Sequence, residues 1–344
     1  MGLRGYLLKR AINTFILILF VITLNFAIFQ LLPGTQGVIA NLLQNPRLTD
    51  KSIIGKYENE FGLCSSYDPA TNHCVLATAY QRFGKYFVNM LTFNFGVSYQ
   101  SGHPIFADMI GTGRLYNTLL LLGVSTLFSL IIGIFIGVFV AARRGSVFDT
   151  GWVTTSLVTY SLPTFWMGLL FILVFAQNLH WFPPGGVIPF TWPNGVTPPL
   201  LEQIPIRIEH LFLPALVLTL YFYGGHLLLT RATMLESLSE DYITTARAKG
   251  LSTMKVLFKH ALKNASLPII TNAALSFGGL LGGAIITETV FNWDGLGHWI
   301  FSAISYKDFP VMQAMFYMIA LCVIIANFIS DIFLGVIDPR IKYE

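Results

Sequence analysis

Seven histidines and three cysteines are the nitrogen and sulfur side chains here that can ligate zinc or form covalent sulfur bonds. His103, His180, His210, His226, His260 and His298 are scattered along the chain, and only His73 stands beside a cysteine, Cys74, with Cys64 a little earlier. A zinc site built from His73, Cys64 and Cys74 is one ligand short of the tetrahedral set that structural sites use. The same two cysteines can instead close a disulfide or remain free thiols, and spacing alone does not bring their Cα atoms within bonding range. Phosphate chemistry is absent too: no G-x4-G-K-[ST] loop occurs, since Gly55–Lys56 and Gly84–Lys85 are each followed by tyrosine. No nucleophile–base constellation stands out. No catalytic residue, metal site or cofactor site is therefore expected in this chain, and its work must be mechanical.

The elements that would do that work lie in lipid. Of 344 residues, 54% are hydrophobic and 11% charged, against roughly 25% charged in soluble domains. Six uncharged or nearly uncharged stretches reach the roughly 20 residues a membrane crossing needs. They are Lys9–Leu32, Tyr116–Ala142, a span within Thr150–Gln177, Leu211–Thr230, Leu267–Val290 and Pro310–Val336. The first is too long for the apolar core of a signal peptide and lacks an A-x-A-like cleavage site, so it is retained as a helix. Cys322 lies inside the last and reads as a small packing residue. Gly278–Gly282 and Gly279–Gly283 form small-x3-small pairs suited to close helix contact or to internal packing.

Basic residues gather on one side: Arg4, Lys9 and Arg10, then Arg143 and Arg144, then Arg231 to Lys263, then Arg340 and Lys342. The opposite short loops hold only Arg207 and Lys307, so both termini are expected in the cytoplasm of a multi-pass cell-membrane protein. The net charge of +4 suits anionic headgroups and calls for no nucleic acid. The expected fold is an all-α polytopic membrane protein. Residues 1–34 form the N-terminal tail and first helix, 35–114 an extracellular cap, and 115–344 a core of five further helices. Within the cap, Asp50–Leu63 and Gln81–Thr92 read as amphipathic helices. An external location favours a Cys64–Cys74 disulfide over free thiols.

The remaining feature is the loop at residues 235–266, "LESLSEDYITTARAKGLSTMKVLFKHALKNAS". Glu240 and Asp241 place negative charge at a helix start, Gly250 ends that helix, and Ser252 can cap a second. In the second helix Met254, Leu257, Phe258, Ala261 and Leu262 make one apolar stripe, with Lys255, Lys259 and Lys263 on another face. Such a pattern fits either a projecting helix–turn–helix or a basic amphipathic helix lying on the inner leaflet.

"DYITTARAKGLSTMKVLFKHALKNASLPII", Asp241–Ile270, resembles the cytoplasmic loop of permease subunits of binding-protein-dependent ATP-binding-cassette importers. The likeness is to the oligopeptide/dipeptide branch and to the first, B-type, permease of its pair. The family's E-A-A-x3-G signature falls here on Thr244, Thr245, Ala246 and Gly250, departing at its first two positions. The resemblance continues through "LLKRAINTFILILFVITLNFAIFQLLPG", "FGVSYQSGHPI", "SLPTFWMGLLFI", "GGLLGGAIITETVFNWDGLG", "KDFPVMQAM" and "DPRIK", and lapses around Cys64 and Cys74. It implies a pore subunit working by alternating access beside a second homologous permease, two ATPase subunits that bind ATP and magnesium, and an external solute-binding protein. It also implies that Ala246, Arg247, Ala248, Lys249, Gly250 and Leu251 dock on an ATPase. Phe291, Asn292, Trp293, Gly295 and Gly297 would form an external re-entrant stretch that helps unload the binding protein. Peptides are the implied substrate, with oligosaccharides or nickel in some lineages. The competing reading, an ion-coupled secondary transporter, wants ionisable residues near the bilayer midplane. Glu288 and Asp331 stand near helix ends instead.

Overall fold

The computed structural model describes residues 3–32, 54–60, 62–192, 196–279 and 281–337. The helices are α1 (Leu3–Phe26, continued by a π-helical turn Ala27–Leu31), α2 (Ile54–Glu60), α3 (Ala79–Leu91), α4 (Ile105–Gly111), α5 (Arg114–Ala142) and α6 (Val147–Ser161). Next come α7 (Thr164–Phe171, continued as a π-helix Ile172–Asn178), α8 (Leu200–Leu238), α9 (Asp241–Ala248) and α10 (Thr253–Lys255, continued as a π-helix Val256–Ala261). The last are α11 (Leu262–Gly279), α12 (Leu281–Val290), α13 (Leu296–Ser305) and α14 (Phe309–Ile337). The start of the expected cap, residues 35–53, and the closing "DPRIK" lie outside the described residues.

The protein is a helical, polytopic membrane protein. Among the described residues, four unbroken helices are long and apolar enough to cross a bilayer: Gly5–Leu31, Arg114–Ala142, Leu201–Leu238 and Phe309–Ile332. The stretch expected as the third crossing is instead a pair, α6 and α7, bent by 100°. Pro163 explains the break: proline drives the residue before it out of helical geometry, and Leu162 is extended at φ −77°, ψ 132°. The stretch expected as the fifth is occupied by α11 and α12, with residue 280 outside the described ones.

The chain divides into two compact units. One comprises Met1–Lys9, Thr118–Trp293 and Ala326–Glu344, the other Arg10–Asn117 and Asp294–Ile325.

In the first unit α8 packs against α6 and α11. With 39 residues it is about 58 Å long at 1.5 Å per residue, nearly twice the ~30 Å hydrocarbon thickness. It has to project beyond the lipid. Two glycines let α5 approach it: a Cβ on Gly133 would stand 2.6 Å from His226 Cβ, and one on Gly137 2.7 Å from Thr230 Cβ. This G-x3-G pair is a close helix contact that the structure defines, whereas the packing around Gly278–Gly283 lies outside the described residues. Overpacking of this kind costs about 1–3 kcal/mol. Gly137→Leu is expected to lower the thermal midpoint of the detergent-solubilised protein, and an unchanged midpoint would refute the contact.

The second unit holds α2, a two-stranded hairpin, α3, α4 and α13. The strands β1 (Cys64–Asp68) and β2 (His73–Leu76) pair antiparallel, and a Cys64–Cys74 disulfide with Cα atoms 5.4 Å apart ties them. The sulfurs bond each other and are not thiolate ligands, so no zinc site forms with His73. This hairpin is a departure from helix that the sequence reading did not anticipate. Of the expected helix Asp50–Leu63, α2 realises Ile54–Glu60; α3 matches Gln81–Thr92 closely. It begins with a reciprocal capping box between Thr78 and Gln81. The Asp308 carboxylate accepts bonds from Ser98 Oγ (2.6 Å) and from the backbone N–H groups of Tyr99 and Gln100. That knot fixes the start of α14 to the segment before α4.

Candidate functional site

Helix α9 forms where the charges favour it. Asp241 stands in its first turn and Arg247 in its last, both complementing the helix dipole. It ends because Gly250 takes φ +71°, a left-handed conformation that glycine adopts without strain. There the Gly250 N–H donates to Arg247 O at 2.9 Å and the Lys249 N–H to Thr245 O at 3.1 Å.

The helix does not float. Ile243 and Ala246, three residues apart and so on one face, are buried with Val138 of α5, Met234 of α8, and Val256, Leu257 and Ala261 of the following π-helix. Ser237 near the end of α8 adds polar ties, donating to Ala261 O at 2.9 Å and standing 2.6 Å from the Tyr242 hydroxyl. The apolar stripe of the second helix is thus spent inside the protein: Leu257 and Ala261 are buried, Phe258 and Leu262 pack on the same cluster, and Met254 alone is exposed. Little apolar face is left to lie on a leaflet. Ser252 occupies the cap position of this helix, but its side chain makes no capping bond, so the expected cap is positional only.

Among the six residues expected to dock on a partner, Arg247, Ala248, Lys249 and Gly250 are exposed, together with Thr244 and Thr245. Ala246 is 5% exposed and Leu251 packs against the buried cluster. These two belong to the anchoring side. The sequence period alone did not separate the two faces, because the alanines at 246 and 248 are equally small.

A second anchor holds the base of this element, and sequence reasoning missed it. Asp149 on α6 takes a bidentate bond from Arg231 on α8, Nε to Oδ1 at 2.7 Å and Nη2 to Oδ2 at 2.8 Å, and a third from the Gly145 N–H at 2.9 Å. The two residues are far apart in sequence, so no local pattern announces the pair.

At the other end of the first unit, Phe291 is buried against Met167, Leu213 and Val217. Its carbonyl accepts from the Gly186 N–H at 2.8 Å, and Gly185 lies so close to that carbonyl that a Cβ there would collide with it. His210 Nδ1 stands 2.9 Å from Gly185 O, which fixes the proton on Nδ1. Trp293 is fully buried, while Asn292, at φ +48°, is exposed. Glu288 is also fully buried and accepts from Thr118 Oγ at 2.7 Å. His226 is buried and bonded through Nδ1 to Asn272 Nδ2 at 3.2 Å, which makes it a helix-interface residue.

In the second unit Gly295 starts α13 and Gly297 is buried. Asp294 pairs with Arg114 at 2.9 Å, and the Arg114 guanidinium lies 4.4 Å from the centre of the Trp299 ring. Burial pushes His298 below the ordinary imidazole range, against the opposing pull of Asp294. Of the five residues expected to form an external re-entrant stretch, only Asn292 is exposed.

Comparison with known proteins follows the same outline. The family model described as "Binding-protein-dependent transport system inner membrane component" matches residues 133–343, which include α8 to α12 and the loop at residues 235–266. The oligopeptide transport system permease protein AppB of Bacillus subtilis is 36% identical over 340 residues, covering 98% of this chain and 99% of that protein. The di/tripeptide transport system permease protein DppB of Pseudomonas aeruginosa is 34% identical over 334 residues, covering 93% and 94%. The dipeptide transport system permease protein DppB of Escherichia coli K12 is 36% identical over 278 residues, covering 77% and 81%.

Proposed function

This chain belongs to the family of inner membrane components of binding-protein-dependent transport systems, and from that premise we propose that it is the pore-forming subunit of a peptide importer driven by partner ATPases. The observation that carries the reading is α9, a short helix clamped to the end of α8 with one face left open. A projecting helix must be rigidly joined to the membrane helices if it is to transmit motion, and Ile243, Ala246 and the Ser237 bonds supply that joint. The docking face consists of Thr244, Thr245, Arg247, Ala248, Lys249 and Gly250. Small side chains there allow close approach, and Arg247 and Lys249 meet acidic groups on the ATPase.

In this reading the chain crosses the membrane six times. α6–α7 counts as one bent crossing and α11–α12 as another, and both termini lie in the cytoplasm. A second homologous permease completes the pore, two ATPase subunits bind ATP and magnesium, and an external binding protein delivers the peptide. Phe291 to Gly297 lies at the external mouth, where exposed Asn292 is the residue placed to meet the binding protein. Alternating access then requires no covalent step in this chain.

Affinity purification from the native membrane in mild detergent, with mass identification of bound proteins, tests the assembly. Recovery of a second permease and Walker-motif ATPases is expected. Recovery of the chain alone, with ion-gradient-driven peptide uptake in liposomes, would establish the secondary-transporter alternative instead.

A further inference from the structure

Arg82 stands on α3, within the second unit and outside every stretch long enough to cross a membrane, yet it is only 3% exposed. Its Nη2 donates a long bond to the Gln30 carbonyl at 3.4 Å. That carbonyl belongs to the π-helical turn Ala27–Leu31. The Nε and Nη1 atoms, which carry three protons between them, find no acceptor among the described residues.

Arg82 borders a cavity of about 20 Å³ whose polar wall is Gln30, Arg82, Tyr86, Asn89, Asn94, Tyr99 and Gln313. The rest of the wall is glycine or apolar, and no carboxylate lines it among the described residues. Burial penalises the guanidinium and pulls its pKa down, but arginine does not deprotonate in proteins. A cation so enclosed needs a counter-charge. The volume suits one small occupant and is too small to enclose a whole phosphate or organic acid. The amides of Asn89 and Asn94 can turn their NH2 groups inward to assist the guanidinium, since amide orientation follows the hydrogen-bond network.

We propose that this cavity binds a single halide ion, chloride under ordinary conditions, which neutralises Arg82 and fastens α3 to the end of α1 and the start of α14. A water molecule would fill the space but leave the charge unbalanced. The inference concerns the cap and stands whether or not the transport assignment does.

The test is thermal unfolding of the purified full-length protein at constant ionic strength, with chloride replaced stepwise by gluconate, which is too large for the cavity. The midpoint is expected to rise with chloride by about 2 °C per tenfold increase above the dissociation constant. Bromide should substitute for chloride, and the dependence should vanish in Arg82→Gln. Equal midpoints in chloride and gluconate would overturn the proposal and leave water as the occupant. Because Arg82→Gln removes a buried group and can fail to fold, crystals of the wild-type protein soaked in bromide provide a second arm. An anomalous peak in contact with the guanidinium is expected, and none at that position would reject the site.

Discussion

Gly250→Val is expected to cut substrate-stimulated ATP hydrolysis in the assembled importer by about tenfold. The space around Gly250 is open, with nothing within 4 Å of an added Cβ, so the effect is not steric. It comes from the backbone. At φ +71° an L-residue incurs roughly 1–2 kcal/mol, and a β-branched one suffers most. Such a penalty is enough to shift the turn between α9 and α10 to another conformation in a tenfold larger share of molecules. The turn sets the angle at which Arg247, Ala248 and Lys249 are presented, so a changed turn disengages the docking face while the core beneath it persists. Gly250→Asn is the informative control, because asparagine enters the left-handed region at lower cost, and it should retain most of the stimulation. The measurement is ATPase rate with and without loaded binding protein in nanodiscs. Wild-type stimulation in the valine variant would remove α9 from the coupling path.

The second large effect is expected at Asp149. Asp149→Ala leaves Arg231 without its bidentate acceptor in a position where Asp149 is 5% and Arg231 27% exposed by side chain. Breaking a buried pair from one side typically costs about 3–5 kcal/mol, because the remaining charge is stranded. For a chain of this size that corresponds to a thermal midpoint lower by about 4–7 °C. The Gly145 N–H loses its acceptor in the same substitution, so the turn between α5 and α6 loosens as well. Removing both charges, in Asp149→Ala with Arg231→Ala, should be less damaging than the sum of the single changes, since no orphan charge remains. Strict additivity in the double-mutant cycle would mean that the two side chains do not interact.

Much of this architecture was legible without coordinates because lipid imposes a one-dimensional rule. A helix that crosses a bilayer satisfies its own backbone groups and must be apolar along its length, so composition along the chain marks it directly. The same holds for the turn at Gly250, the amphipathic helix read at Gln81–Thr92 and the acidic start of α9, all of which depend on neighbours a few residues away. The Cys64–Cys74 bond was favoured over free thiols and a zinc site by its expected external location, while spacing left it open. The hairpin that brings those cysteines together decided it.

What the sequence determined by itself, then, was the solvent each segment lives in and the local signals that start and stop helices, together with a family likeness spread over most of the chain. Tertiary structure decided which face of each helix is used. It turned Ala246 and Leu251 inward and left Ala248 outward, and it consumed the amphipathic stripe of Leu257 and Ala261 in a core with Val138 and Met234. It also joined Asp149 to Arg231 and Gly137 to the Leu227–Thr230 turn of α8. Each of these is a choice of partner across a long stretch of chain. Partner choice is set by packing and by the cost of an unpaired buried charge, and neither leaves a periodic trace along the sequence.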